Sequence, residues 1–283
     1  MAPALRNTSV DAIERRLEDL RDGEEPSQRT SVLTHMAWVP PEWARAAERV
    51  LEGLGPRIPS RTILLHPDPG AKADRLDAEI ERECFPGGGH DICAEVVRIW
   101  LRGRTAKAPA SVVVPLQIPD LPVFLRWRGQ PPFGRPELEQ LVGVSDRLIV
   151  DSTEWPPGTG FSLSLTRLVE TFERIVVSDL AWPRTLRWRA GLADLWPGIR
   201  KARTLRVTGP RAEALLLRGW LRSRLRSDLR LRHEEASSLE RVEVDAELVE
   251  AARGLAMSPS DLLSDQLELF VRDPVYEAAV RAA

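Results

Sequence analysis

Apolar and polar positions alternate along the chain with two different periods. Between residues 9 and 22 the apolar residues are three or four positions apart, which predicts an amphipathic N-terminal helix with its charges in water. A β-prone run at 32–39 then stops at a pair of prolines, and a helical pattern covers 42–54. A second β-prone run follows at 61–66, so the pattern predicts the order strand, helix, strand.

The same alternation continues along the rest of the sequence. Further strands are predicted at 93–101, 123–127, 147–150, 204–207 and 241–244, and further helices at 136–141, 163–172, 180–195, 211–225 and 261–270. Strands that alternate with helices of about ten to fifteen residues are typical of crossover units on a parallel sheet. We therefore predict an α/β fold, with a mostly parallel sheet flanked by helices and a smaller C-terminal α/β extension.

Changes in composition divide this pattern into three segments. A polar stretch follows the N-terminal helix, and Pro197 separates the long α/β pattern from the shorter one. The predicted organisation is an amphipathic helix and linker over 1–30, an α/β domain over 31–197 and a smaller α/β domain over 198–283.

Charge and hydrophobicity narrow the class of protein. The 40 basic and 42 acidic residues give a net charge of −2, so no overall field would attract nucleic acid or an anionic membrane surface. The longest apolar stretch, 112–125, is broken by three prolines and is too short to cross a bilayer. The N-terminus lacks the apolar core of a signal peptide. We therefore expect a soluble, cytoplasmic protein with no nucleic-acid partner and no membrane anchor.

Motifs for cofactors are absent from the sequence. The glycine-containing segments at 87–89 and 158–160 match neither the dinucleotide-binding pattern nor the P-loop, so each is interpreted as a turn. His90, Asp91 and Cys93 cannot complete a tetrahedral site without a second cluster of ligands. We therefore expect no cofactor and no metal.

The two cysteines, Cys84 and Cys93, are nine positions apart and match no common zinc or thioredoxin motif. They are also too few for the disulfide framework of a secreted protein. Because they flank the glycine-rich turn, they could approach each other as a redox-sensitive pair. Two reduced cytoplasmic thiols are the favoured interpretation.

Predicted strand ends carry the candidate chemistry, because ligands bind at the carboxyl ends of strands in open α/β sheets. His66 and Asp68 could act as a base and its orienting carboxylate, although the flanking prolines favour a rigid turn capped by Asp68. Asp151 and Ser152 follow another strand and permit nucleophilic chemistry without specifying it. An enzyme that acts on a sugar phosphate through His66, Asp68 and Asp151 is therefore an open alternative.

Tryptophan is unusually frequent, with nine residues against one tyrosine. Trp127 and Trp188 each stand between two arginines, and tryptophan and arginine are enriched in interface hot spots. A partner surface and core packing are about equally favoured for four of them: Trp127, Trp155, Trp182 and Trp188.

Several strings of residues carry a resemblance to a known family. RTILLHPD at 61–68, HDICAE at 90–95 and PDLPVFLRWRG at 119–129 precede RLIVDS at 147–152, SDLAW at 178–182, LRWR at 186–189 and DPVYEAA at 273–279. In this order they resemble the glucose-6-phosphate dehydrogenase assembly protein family OpcA, over about residues 30–280. PDLPVFLRWRG and SDLAW are the most specific strings, since no generic α/β pattern requires them.

The resemblance implies a non-catalytic partner of glucose-6-phosphate dehydrogenase. Such a protein would act as an allosteric activator that supports the active oligomeric state, and hence NADPH production in the oxidative pentose phosphate pathway. A sugar-phosphate-binding sensor module stays open as an alternative. Cyanobacterial members are associated with redox control, which keeps Cys84 and Cys93 as redox candidates. Candidates for a partner surface or a ligand cleft are His66, Asp68, Asp120, Trp127, Arg128, Asp151, Ser152, Asp179, Trp182, Trp188 and Arg189.

Overall fold

The computed structural model describes residues 4–21, 31–54, 57–87, 90–254 and 257–283. The chain forms two compact units. Unit 1 comprises Met1–Val150 and Pro259–Leu269, and unit 2 comprises Asp151–Ser258 and Phe270–Ala283. The domain boundaries predicted at residues 30 and 197 remain predictions about independently folding segments.

Helices and strands alternate along most of the described chain. The helices are α1 (Val10–Arg21), α2 (Ala44–Glu52), α3 (Ala110–Val113), α4 (Pro136–Val142), α5 (Thr159–Thr171), α6 (Ala181–Arg184), α7 (Leu186–Asp194), α8 (Arg211–Leu225), α9 (Pro259–Leu267) and α10 (Pro274–Ala282). The strands are β1 (Leu33–Trp38), β2 (Ser60–Asp68), β3 (Arg75–Gly87), β4 (His90–Arg102), β5 (Val123–Trp127), β6 (Arg147–Val150), β7 (Val176–Asp179), β8 (Thr204–Thr208), β9 (Arg230–Glu234), β10 (Arg241–Val244) and β11 (Glu247–Leu248). None of these helices is long and apolar enough to span a bilayer.

The larger sheet provides the core of unit 1. Its strands in this unit run in the order β3-β4-β2-β1-β5-β6, and the neighbouring pairs are parallel except for the antiparallel hairpin of β3 and β4. Every residue of β1, β5 and β6 is buried, as expected for parallel strands covered on both faces. The predicted α/β class with a mostly parallel sheet is therefore confirmed.

The N-terminal helix was predicted correctly, whereas β3 was missed. Ile13 and Leu17 of α1 are fully or almost fully buried, as the spacing of the apolar residues required. In β3, buried Leu76, Ala78 and Ile80 alternate with charged residues, which is the period of two of a strand. Because many residues on the other face are charged, the sequence pattern predicted a polar connection for this segment.

A disulfide joins the two strands of the hairpin. Cys84 lies directly opposite Cys93 in the antiparallel ladder, with Cα atoms 4.0 Å apart, and the two sulfur atoms are bonded. The favoured expectation of two reduced thiols was therefore wrong, because pairing of β3 with β4 brings the side chains together. Gly88 and Gly89 of the predicted turn lie outside the described residues.

Loss of this disulfide is expected to lower the stability of unit 1. For cysteines nine residues apart, the chain-entropy model gives a contribution of about 2–3 kcal/mol. Urea unfolding of a double variant with Cys84→Ser and Cys93→Ser should show a free energy of unfolding that is lower by this amount. A reductant should shift the parent protein in the same direction and leave the double variant unchanged. Equal stability of the parent and the variant would contradict the prediction.

A second, four-stranded sheet forms part of unit 2, in the order β11-β10-β8-β9. Leu205 and Val207 of β8 point into a core that includes Leu217 of α8. Helix α10 packs against α8 at Gly219, where a Cβ atom would lie only 2.0 Å from the carbonyl oxygen of Ala279. The predicted smaller α/β extension is therefore present, and α8 is covered on two faces.

Candidate functional site

Unit 2 contains a cluster of buried polar side chains. Five of the residues that the sequence singled out belong to this cluster or border it. Asp179 is the last residue of β7 and is 2% exposed. Its two carboxylate oxygens accept hydrogen bonds from the backbone N–H and the hydroxyl of Ser152, at 2.9 and 2.6 Å. The backbone N–H of Ala181 donates to the same carboxylate at 2.9 Å. Asp179 therefore ties the segment around Ser152 to the start of α6.

An ion pair lies next to this carboxylate. Arg184 donates from both terminal nitrogens to the two oxygens of Asp151, each at 2.8 Å. The hydroxyl of Thr153 also donates to Asp151, at 2.6 Å. A bidentate pair of this kind is directional as well as strong, since the planar guanidinium matches the carboxylate. Sequence reasoning found Asp151 but missed Arg184, whose only signal was a cation shortly after the SDLAW string.

The electrostatics of the cluster favour protonated carboxyl groups. Burial raises the pKa of Asp179 to about 6, and the negative charge of Asp151 adds to this effect. Burial also raises the pKa of Glu213, in the first turn of α8, to about 7, although Arg184 opposes the shift. The pKa of Tyr276 is raised by burial first and then by Asp179. The carboxyl groups of Asp151 and Asp179 thus disfavour ionisation of Glu213, and Arg184 offsets part of this effect.

Replacement of Glu213 by glutamine should make unit 2 less sensitive to pH. Its folded pKa of about 7 lies above the ordinary value of 4.5, so the folded state binds the proton more tightly and loses stability as the pH rises between these values. We expect Glu213→Gln to raise the free energy of unfolding by about 1–3 kcal/mol at pH 8 and by much less at pH 5. Thermal unfolding across this range tests the effect. A gain that is equal at both pH values would contradict the assignment to this ionisation.

Aromatic residues border the cluster on the side of α10. The indole N–H of Trp182 donates to Asp273 at 2.8 Å, and the other oxygen of Asp273 caps the N-terminus of α10. Arg189 stacks on Trp182, with its guanidinium carbon 3.6 Å from the ring centroid. Burial lowers the pKa of Arg189 to about 10, and Asp273 counteracts part of that shift. Trp182 is 7% exposed, so the structure favours core packing over surface contact for this ring.

The contacts within this cluster hold segments of the chain together. The Ser152 hydroxyl donates to a carboxylate, without a histidine between them to act as a base. His233, which also belongs to unit 2, instead bonds the backbone oxygen of Gly209 at 2.8 Å. Among the described residues, no group of three or more His, Cys, Asp or Glu side chains is arranged to hold a metal ion.

Two further tryptophans that the sequence singled out in unit 2, Trp155 and Trp188, also pack inward. Trp155 is 4% exposed and lies 5.5 Å from the ring of Phe161. Trp188 is partly buried against the core beneath the smaller sheet. For both residues the structure favours core packing, whereas the sequence favoured core packing and a partner surface about equally.

Candidates in the PDLPVFLRWRG string belong to unit 1. Trp127 is 3% exposed in β5 and stacks on Trp38, with ring centroids 4.9 Å apart. Arg128 is half-buried, and its guanidinium lies 4.9 Å from the ring centroid of Trp43. Asp120 is exposed in a turn with a left-handed φ of 63°. The structure thus favours the core for Trp127 and a turn for Asp120.

The strand-end pair His66 and Asp68 also lies in unit 1. The imidazole of His66 stacks on Trp100 at 5.4 Å, and burial is the main cause that lowers its pKa. Asp68 is exposed at the end of β2, where its backbone oxygen accepts from Ala71 in a turn. Because Asp151 belongs to unit 2, the three-residue enzyme site stays a hypothesis.

Comparison with known proteins shows which family the central part of the chain resembles. Residues 54–177 match a model of the OpcA glucose-6-phosphate dehydrogenase assembly family, described as glucose-6-phosphate dehydrogenase subunit N-terminal domain. Relatives with the provisional name OxPP cycle protein OpcA are 28% identical in Nostoc punctiforme, over 62% of this chain, and 27% identical in Synechocystis, over 59%. Over this central region the chain is similar to the OpcA family.

The OpcA match covers part of each sequence. The aligned regions span 40% of the Nostoc relative and 37% of the Synechocystis one, so the chain matches about two fifths of the length of these curated relatives. The region that matches the OpcA family model includes Trp127, Asp151 and Ser152 and ends before Asp179. The polar cluster of unit 2 therefore combines positions inside this region with positions that lie beyond it.

Proposed function

We propose that this chain is a non-catalytic partner of glucose-6-phosphate dehydrogenase that favours the active oligomeric state of the enzyme in the oxidative pentose phosphate pathway. The match of residues 54–177 with the dehydrogenase assembly family carries the proposal. Relatives named for the same pathway support it. Cytoplasmic localisation and support of NADPH production follow from the proposed partner.

The contacts of the polar cluster support a role without chemistry. A catalytic site needs a nucleophile or base that faces a substrate. Here Asp179 accepts three hydrogen bonds from its own chain, and Asp151 is saturated by Arg184 and Thr153. These groups organise unit 2, and this leaves binding as the simplest proposed activity.

Activation would operate through differential affinity. A partner that binds the competent oligomer more tightly than the incompetent one shifts the population toward the competent state. A tenfold preference corresponds to about 1.4 kcal/mol, which lies within the usual range of allosteric coupling. If the complex binds the dehydrogenase substrate more tightly than the free enzyme does, the same coupling requires the substrate to tighten the complex.

Exposed apolar side chains are better contact candidates than the buried tryptophans. Trp196 is 61% exposed, and Arg200 lies over its ring at 5.6 Å. An exposed tryptophan beside an arginine has the composition of an interface hot spot. We propose that Trp196 contacts the dehydrogenase. The matched control is Leu163, another apolar side chain with 61% exposure, which lies on α5.

Titration of purified glucose-6-phosphate dehydrogenase with this protein tests the proposal. NADPH formation is followed across concentrations of glucose 6-phosphate, and the complex is sought by size-exclusion chromatography. Saturable activation or a lower half-saturation is the expected result. No kinetic effect together with no co-elution would overturn the proposal.

Substitution of Trp196 by alanine should raise the concentration needed for half-maximal activation about tenfold or more and leave the melting temperature unchanged. The reason is that removal of a hot-spot residue costs about 2 kcal/mol of binding. Leu163→Ala should retain activation. Equal loss in both variants, or none in Trp196→Ala, would place the contact elsewhere on the chain.

A further inference from the structure

Positive charge is concentrated in one segment of unit 2. The chain as a whole has a net charge of −2, yet residues 198–232 contain eleven basic side chains and two acidic ones. This segment includes β8, α8 and the first three residues of β9. Such an excess of one sign creates a local positive potential that the overall composition conceals.

Three arginines of this segment form a stripe along α8. Arg211, Arg218 and Arg222 are seven and four positions apart, so at about 100° per residue they lie within about 40° of one another around the helix. On one side of the stripe, Leu217 packs into the core beneath the smaller sheet. On the other side, Gly219 contacts α10. The three residues are half-buried between these covered faces, and we call them the arginine stripe.

The stripe has unused hydrogen-bond donors. The Nε atoms of Arg211 and Arg218 are buried, and neither has a hydrogen-bond partner among the described residues. Among the described residues, the stripe forms one ion pair, between Arg222 and Asp228 at 3.8 Å. The side chain of Asp228 is 97% exposed. The hydroxyl of Ser227, the residue before Asp228, is also buried and has no partner within the described part of the chain.

Buried donors without partners are costly, and so are like charges held together. Burial lowers the pKa of Arg218, and the positive charges of Arg222 and Arg211 lower it further, while Asp228 acts in the opposite direction. The charged form of Arg218 is therefore disfavoured in the unliganded protein. An anion bound at the stripe would supply the missing acceptors and offset the repulsion.

We propose that the arginine stripe binds the phosphate group of a small phosphorylated metabolite. A phosphate dianion presents several acceptor oxygens to the planar forks of arginine, and this geometry favours arginine over lysine. The donors are half-buried between the smaller-sheet core and α10, which suits a compact anion better than an extended polyanion. The inference goes beyond binding of the dehydrogenase, because the ligand would act on the isolated chain.

The test is a titration of the isolated protein at constant ionic strength. Inorganic phosphate, glucose 6-phosphate and unphosphorylated glucose are added separately, and the melting temperature and the heat of binding are measured. Phosphate compounds should give a saturable rise in melting temperature, because a ligand of the folded state stabilises it, whereas glucose should give none. Equal affinity for the two phosphate compounds would indicate a site for the phosphate alone, and tighter binding of glucose 6-phosphate would indicate that the sugar is also contacted.

Variants assign the effect to the stripe. Arg218→Gln should weaken phosphate binding at least tenfold and should not lower the melting temperature of the unliganded protein, since it relieves repulsion. Arg224→Gln is the matched control, because Arg224 is exposed on another face of the same helix, and its affinity should stay within twofold of the parent. Arg222→Gln is a second test of the stripe, with the same expected loss, should Arg218→Gln fold poorly.

Three results would overturn the inference: no saturable effect of either phosphate compound at tens of millimolar, equal losses in Arg218→Gln and Arg224→Gln, or single-stranded DNA that binds more tightly than the phosphate compounds and displaces them. All these measurements omit the dehydrogenase. Failure of phosphate binding is therefore distinguishable from failure of the proposed assembly function.

Discussion

Replacement of Trp127 by alanine should destabilise unit 1 by about 3–5 kcal/mol, which is the cost of removing a large buried aromatic side chain. The ring is 3% exposed in β5, a strand whose five residues are all buried. It also stacks on Trp38 at 4.9 Å, so the substitution leaves a cavity and removes an aromatic contact. Urea unfolding followed by tryptophan fluorescence and circular dichroism measures the loss.

The neighbouring arginine supplies the control for this substitution. Arg128 is half-buried and lies over the ring of Trp43, so Arg128→Ala should cost about 1 kcal/mol or less. Sequence pattern alone allowed Trp127 and Arg128 to form a partner surface, in which case neither change would affect folding. An unchanged free energy of unfolding for Trp127→Ala would contradict its place in the core.

Neutralisation of one partner of the Asp151–Arg184 pair is expected to have the second large effect. The side chains of Asp151 and Arg184 are 6% and 29% exposed, so Asp151→Asn leaves a poorly solvated guanidinium without its carboxylate. Loss of one partner of a buried ion pair costs about 3–5 kcal/mol. We expect about 3 kcal/mol here, since the same change removes a negative charge that repels Asp179 and Glu213.

A double-mutant cycle separates the pair from its surroundings. Arg184→Met alone should also destabilise unit 2, because it leaves the negative charges of the cluster without their close cation. The combination of Asp151→Asn with Arg184→Met should be less destabilising than the sum of the single changes, by about 1–3 kcal/mol. Additive losses measured by urea unfolding at pH 7 would show that the two side chains do not act as a pair.

The periodicity of apolar residues predicted the elements that bury one face of a helix or most of a strand. The apolar spacing in α1 and the continuous β-prone runs of β2 and β5 specified a helix and two buried strands, and the structure has them. Periodicity failed for β3, where Asp77, Glu79 and Glu81 alternate with buried apolar residues. Arg75 and Arg102 both donate hydrogen bonds to Asp77. The negative charge of Asp77 is therefore neutralised by a residue distant in sequence as well as by a nearby one.

The candidate site was predicted in part. Motif resemblance and strand ends pointed to Asp151, Ser152, Asp179, Trp182 and Arg189, which the fold of unit 2 gathers into one cluster. Arg184 and Glu213 were missed because only their contacts in the folded chain set them apart. Tyr276 stands in the DPVYEAA string but was not singled out, because its burial is visible only in the structure. The arginine stripe is likewise not apparent from the sequence, because a sequence does not distinguish a solvated arginine from a half-buried one.

By itself, the sequence determined the α/β class, the resemblance to a known family and the absence of common cofactor motifs, because these depend on local periodicity and on short strings. Tertiary structure alone decided that Cys84 and Cys93 form a disulfide, that Trp127 and Trp182 are buried, and that Asp151 pairs with Arg184. The reason is physical: exposure, pKa and pairing depend on which residues distant in the chain surround a side chain. Those neighbours are fixed by strand register and helix packing, which no local pattern of residues specifies.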